Sequence, residues 1–235
     1  LIEMDQIKNE FISTAAHELR TPLTAIMGFT ELLNDSEMSS DISDTQKKDF
    51  LTEIYARGEA LSRIIDDMRD ISRIESGLPI TLNRNEADLA EILTKTVTFF
   101  RIHDADHTFH LQLPAPPSFP VLIDHQRINQ VLENLISNAI KYSPKGSDIL
   151  LKGRHDAQGW LISVEDQGIG MTEEQVERVF DKFYRVDSSN TAVSGLGLGM
   201  SIVRQIIEAH GGMIWVKSRL GQGTQVSFTL PKTCA

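Results

Sequence analysis

The chain has 235 residues, 40% hydrophobic and 24% charged, the composition of an ordinary globular protein long enough to bury a sizeable core. Its 23 basic and 33 acidic residues give a formal charge of -10, which argues against a general nucleic-acid binder but leaves room for a local basic pocket around one nucleotide. The single cysteine, Cys234, excludes an intrachain disulfide and suits a reducing compartment, and no run approaches the ~20 apolar residues of a membrane span.

The first stretch reads as one long helix ending near Leu33. At about 100° per residue, Met4, Ile7, Phe11, Ala15, Leu19, Leu23 and Ile26 share one apolar stripe. His17 falls on the opposite side, among Glu10, Ser13, Arg20, Thr21 and Thr24. A lone exposed histidine is usually plain surface, but Pro22 shifts the balance. It has no N–H for the carbonyl of Glu18, so a bend is expected beside His17, at a cost of roughly 3 kcal/mol in a plain helix. With Glu18 next in sequence and the Thr21 hydroxyl one turn on, His17 reads as a solvent-facing nucleophile with an acid–base neighbour. The chain opens inside this helical pattern, so it reads as a piece of a longer protein.

A polar loop follows over 34–43, then a second helix in which Phe50, Ile54, Leu61, Ile64, Met68, Ile71 and Ile74 recur mostly at three- and four-residue steps. Only Arg57 interrupts this seam. Two such helices make a hairpin whose apolar stripes one chain cannot cover, and a symmetric dimer forming a four-helix bundle is the expected solution. Gly77 and Pro79 punctuate the end, placing one domain at 1–77 and a second at 78–235.

Beyond Pro79, strand-like stretches fall at 109–113, 121–123, 148–152, 161–166, 213–218 and 225–230, with helices at 89–100, 125–142, 172–179 and 198–210. The two types do not alternate strictly, which predicts an α/β sandwich with helices on one side of a mixed sheet. Residues 114–117, Pro-Ala-Pro-Pro, read as a rigid surface loop.

Three constellations there carry chemistry. Asn134 and Asn138 lie one turn apart on a helix face away from its apolar side, with Lys141 after them; they are either solvent-facing amides or oxygen donors to a hard cation such as Mg²⁺ with a lysine facing phosphate. Asp166 ends a strand whose Ile162 and Val164 share its face, and Gly168 and Gly170 follow; this is either a plain acidic turn or a carboxylate accepting from an adenine amine. Gly195-Leu196-Gly197-Leu198-Gly199-Met200-Ser201 opens a helix, as phosphate-binding loops do, yet fits neither the P-loop nor the dinucleotide fingerprint. The small polar residues 187–194 ahead of it suit a mobile lid.

In order, these segments resemble the sensor histidine kinases of two-component signalling. Residues 11–23 look like that family's H box, 130–143 its N box, 166–170 its G1 box, 180–185 its F box, 195–199 its G2 box, and 221–224 its last glycine box. The resemblance implies a dimeric helical phosphoacceptor domain followed by a Bergerat-type (GHKL) ATP-binding fold, with His17 as phosphoacceptor. It implies Glu18 as orienting base, Thr21 as the hydroxyl of a phosphatase motif, and Arg185 as a γ-phosphate contact. ATP and Mg²⁺ are the implied cofactors: Asn134 and Asn138 around the metal, Lys141 near phosphate, Tyr142 against the nucleotide and Asp166 on the adenine amine. Gly168, Gly170, Gly195, Gly197, Leu198, Gly199 and Thr224 complete the implied nucleotide cradle. Leu196 and Met200 depart from the family's common residues at backbone-driven positions. The implied partners are a response-regulator receiver domain and a second copy of the chain, with no nucleic acid. This part would lie in the cytoplasm, and the parent at the inner or plasma membrane with this part on the cytoplasmic side. An ATP-gated clamp related to chaperone and topoisomerase ATPases, or a dimeric scaffold without catalysis, are the rival readings. Fate of the γ-phosphate separates the first, and nucleotide binding the second.

Overall fold

The computed structural model describes residues 2–35, 42–115, 120–184 and 197–232, with side chains of the first helix described from Ser13 onward. The chain divides into two compact units, one over 1–76 and 194–198 and the other over 77–193 and 199–235.

The helical unit is a hairpin of α1 (Ile2–Asn34) and α2 (Asp44–Glu75). α1 runs unbroken through Pro22. α2 starts at a capping box: the Ser43 hydroxyl accepts from the Gln46 amide, and the Gln46 side chain accepts from the Ser43 amide. Between the helices Ala15 and Ile71 are buried, and Phe29 meets Phe50 with ring centroids 5.2 Å apart. The polar face reads as expected, with Ser13, His17, Arg20, Thr21 and Thr24 all exposed. Arg57, the break in the seam, lies outward and pairs with Glu53 at 3.0 Å. Apolar surface remains uncovered on the single hairpin: Leu23, Met27, Leu51, Tyr55 and Ile65 are exposed.

The second unit carries β1 (Asn85–Ala87), α3 (Leu89–His103), β2 (Thr108–Gln112), β3 (Val121–Ile123) and α4 (His125–Tyr142) in its first half. β4 (Asp148–His155), β5 (Gly159–Glu165), α5 (Glu173–Arg178), α6 (Gly199–Ala209), β6 (Ile214–Ser218) and β7 (Thr224–Pro231) follow. A five-stranded sheet runs β2-β4-β5-β7-β6, with β2 and β4 parallel and the other pairs antiparallel. The register aligns Leu111, Leu151, Val164, Val226 and Val216 into one apolar row across all five strands. Helices α3, α4 and α6 bury their apolar sides in this unit, with Leu93, Ile128, Leu132, Ile202 and Ile206 essentially inaccessible. The mixed α/β sandwich is the expected one. The sequence reading missed β1, a three-residue strand paired antiparallel with β3; unlike Val121-Leu122-Ile123 of β3, its Asn85-Glu86-Ala87 carries no large apolar or β-branched residue to mark a strand. Among the described residues no helix is long and apolar enough to cross a membrane.

Candidate functional site

On α1, His17 is exposed and Glu18 half-buried beside it. Thr21, one turn later and also exposed, donates its hydroxyl proton to the His17 carbonyl at 3.2 Å. With that proton engaged, the Thr21 oxygen keeps lone pairs on the same solvent-facing side as the imidazole.

In the α/β unit, the end of β5 and the turn after it are tied to the start of β7. The Asp166 amide donates to the Thr224 carbonyl at 2.9 Å. Oδ1 of Asp166 accepts from the Gly168 amide at 2.8 Å and the Thr224 amide at 3.1 Å. Its Oδ2 accepts from no described residue, which leaves an acceptor facing any incoming N–H donor. Burial pushes the Asp166 carboxyl above the usual aspartate value, against the pull of those two amides.

The same turn lies against the end of α4. Ile169 donates its amide to the Tyr142 carbonyl at 3.1 Å, and a methyl added at Gly168 would sit 2.6 Å from that oxygen. Gly170 has φ +65, and a side chain there would collide with the Arg219 carbonyl. Glycine is required at that position on both counts. The sequence therefore brings Tyr142, Asp166, Gly168, Gly170 and Thr224 to one place. Lys141 lies with its Nζ 5.3 Å from the centroid of the Tyr142 ring.

Asn134 and the start of α6 meet from the other side. Nδ2 of Asn134 donates to the Gln130 carbonyl at 3.1 Å, which turns Oδ1 away from its own helix. That oxygen lies where a Cβ at Gly199 would be, so α6 begins directly against Asn134. Asn138 is half-buried one turn along α4. The amide oxygens suit Mg²⁺, a hard cation that keeps several waters and takes few protein ligands alongside phosphate. Among the described residues no cluster of three His, Cys, Asp or Glu offers a competing metal site. Gly197 and Leu198 lead into α6. Arg185, Gly195 and the 187–194 lid lie outside the described residues.

Sequence reasoning missed Ser218. Its hydroxyl accepts from the Met171 amide at 2.9 Å and donates to the Gly223 carbonyl at 2.8 Å. With its one proton spent there, the 2.9 Å contact to Thr224 Oγ1 takes the threonine proton. Ser218 thus fixes the glycine turn against the Gly170 segment. Its partners lie 47 and 5 residues away, and no local spacing marks such a role.

The comparisons agree with this geometry. Residues 7–77 match the His Kinase A (phospho-acceptor) domain, and residues 123–233 match the histidine kinase-, DNA gyrase B- and HSP90-like ATPase. The chain belongs to the sensor histidine kinases. The sensor histidine kinase WalK of Bacillus subtilis is 35% identical over 233 residues, covering 97% of this chain and 37% of WalK. The crystal structure of full-length ShkA in complex with AMPPNP superposes with TM-score 0.66 at 26% identity, over 97% of this chain and 46% of that one. Histidine kinase ThkA, solved in complex with the response regulator protein TrrA, gives TM-score 0.61 at 28% identity over 98% of this chain and 64% of that one. The helical hairpin followed by the GHKL fold is therefore that of a histidine kinase core. The chain spans about a third of the length of the curated relatives it matches.

Proposed function

We propose that the chain transfers the γ-phosphoryl group of ATP to Nε2 of His17 and passes it on to an aspartate of a response-regulator receiver domain. The observation that supports this most is one chain carrying both an exposed histidine beside a carboxylate and an Asp166 acceptor held by two backbone amides. Neutral imidazole attacks through the nitrogen without a proton, so Nδ1 must carry the hydrogen. Glu18 holds that tautomer and offsets the positive charge that grows on the ring as the N–P bond forms and the bond to the ADP oxygen breaks. Asp166 selects adenine by accepting from its exocyclic amine, and Tyr142 packs against the nucleotide. Gly168, Gly170, Gly195, Gly197, Leu198, Gly199 and Thr224 are the remaining nucleotide-binding positions of this reading.

Lys141 and Arg185 face the phosphates, and alignment with charge neutralisation supplies most of the acceleration. Asn134 and Asn138 would hold Mg²⁺, which, when bound, neutralises phosphate charge. Thr21 positions the water that hydrolyses the phosphorylated regulator, a phosphatase activity at the same helix face. The domains are 1–77, which dimerises and carries the phosphoacceptor, and 78–235, which binds ATP. The need for ATP fits a cytoplasmic setting for this part, with the parent at the inner or plasma membrane. ThkA, crystallised with its response regulator, supports the choice of partner.

His17→Ala is expected to abolish acid-labile labelling from γ-labelled ATP while ATP affinity is unchanged. Acid-labile label persisting on that variant would overturn the assignment.

A further inference from the structure

His210, just past the end of α6, is 5% exposed and makes two hydrogen bonds of opposite sense. Its Nε2 accepts from the Asp124 amide at 3.0 Å. A nitrogen that accepts carries no hydrogen, so the proton is on Nδ1, which donates to the Ile206 carbonyl at 2.8 Å. The ring is thus fixed as the neutral Nδ1–H tautomer, and neither charge state nor tautomer can change without losing a bond.

The residue it holds is the start of α4. Asp124 is the N-cap of that helix, accepting from the Arg127 amide on Oδ1 and from the Asn83 amide on Oδ2. Ten residues along α4, about 15 Å, Asn134 lies against Gly199, the first residue of α6. Gly199 meets Asn134 midway along α4 and His210 meets Asp124 at its start, so α6 runs antiparallel to the first half of α4 and is held there at both of its own ends. The contact at Gly199 has no room for a methyl group, so it tolerates little axial sliding of one helix along the other.

We propose that His210 is a positioning residue for the nucleotide site: its neutral ring sets the axial register of α6 against α4 and so holds the start of α6 against Asn134. The inference rests on the nucleotide reading given above. The charged groups facing the ring are Asp124, ahead of α4, and Arg84, ahead of β1, whose guanidinium also donates to the Ala209 carbonyl. Burial is the main force holding the imidazole below its ordinary pKa, so the neutral form persists to lower pH than in a free histidine. The unfolded chain binds this proton more readily. The contribution of the clasp is therefore complete above the ordinary histidine value of about 6.5, and is lost as pH falls through the lowered one.

The test uses the whole 235-residue chain and measures ATP affinity by calorimetry from pH 8 to pH 5, with circular dichroism checking the fold. His210→Leu is expected to weaken ATP binding about tenfold at pH 8, raising KM for ATP more than it lowers the labelling rate. His210→Gln, whose amide oxygen can accept from Asp124, is expected to recover part of that loss. Wild-type affinity should fall in acid more steeply than that of His210→Leu, ATP's own titration being common to both. If the leucine variant does not fold, nitrogen NMR of the wild-type chain decides instead: an Nδ1–H ring that loses ATP affinity on protonation supports the proposal, and an Nε2–H ring overturns it. Equal affinity and parallel pH profiles in wild type and both variants overturn the positioning role alone. A wild-type chain that binds no ATP at any pH overturns the nucleotide reading and this proposal with it.

Discussion

Asp166 shows how one side chain trades stability for binding. Its raised pKa means that the folded carboxyl holds its proton to higher pH than the unfolded one. The folded state binds more protons in that window, so stability falls as pH rises from the ordinary aspartate value through the raised one, and at pH 7 the charge is a cost. Asp166→Asn keeps an oxygen for the Gly168 and Thr224 amides but presents an NH2 where adenine offers its own. The expected result is a melting temperature at pH 7 equal to or above wild type, with ATP affinity down by about tenfold or more, one mispaired hydrogen bond. A variant that melts earlier and still binds ATP would remove Asp166 from the site. Thr21 gives a second contrast at this scale. Among the described residues its hydroxyl bonds the His17 carbonyl, one turn back on the same helix. Thr21→Ala should slow dephosphorylation of the regulator far more than labelling of His17, as measured with purified phosphorylated receiver domain. Equal loss of both activities would count against a separate hydrolytic role.

At the scale of elements, two glycines with nearly the same backbone test what the turns are for. Gly170 and Gly221 have φ +65 and +75, and their segments join where the Gly221 amide donates to the Ile169 carbonyl at 2.6 Å. An alanine at Gly221 meets nothing within 4 Å, so only left-handed strain of roughly 1–2 kcal/mol opposes it. An alanine at Gly170 adds a collision with the Arg219 carbonyl. Gly170→Ala is therefore expected to lower stability to urea clearly more than Gly221→Ala, and to weaken ATP binding as well. Similar losses from both would mean that the loops yield freely. The H-box helix, the N-box helix and the last alternating strand were legible beforehand because each is long enough to display its period. β1 and the Ser218 clasp were not, since their partners lie far along the chain and leave no local pattern.

For the molecule as a whole, the uncovered apolar residues of the hairpin are the feature that needs a partner. Leu51 and Tyr55, 58% and 69% exposed and one turn apart on α2, lie on the side of that helix that its own chain leaves open. Light scattering is expected to give twice the chain mass. Leu51→Glu, which puts a carboxylate into each half of a symmetric interface, should raise the dimer dissociation constant about a hundredfold or more. A wild-type chain that scatters as a monomer at micromolar concentration would refute the four-helix bundle.

Each box, the apolar stripe opposite His17 and the alternation of the strands were written in the sequence, because each depends on residues within a few positions of one another. These local rules determined the hairpin and the mixed sandwich, and the boxes taken in order carried the resemblance to a kinase family. Only the tertiary structure decided that Asn134 abuts Gly199, that Asp166 receives the Thr224 amide 58 positions away, and that His210 carries its proton on Nδ1. Those are facts of packing: a hydrogen bond or a forbidden methyl between distant segments depends on where two backbones come to rest, and no spacing along the chain encodes that.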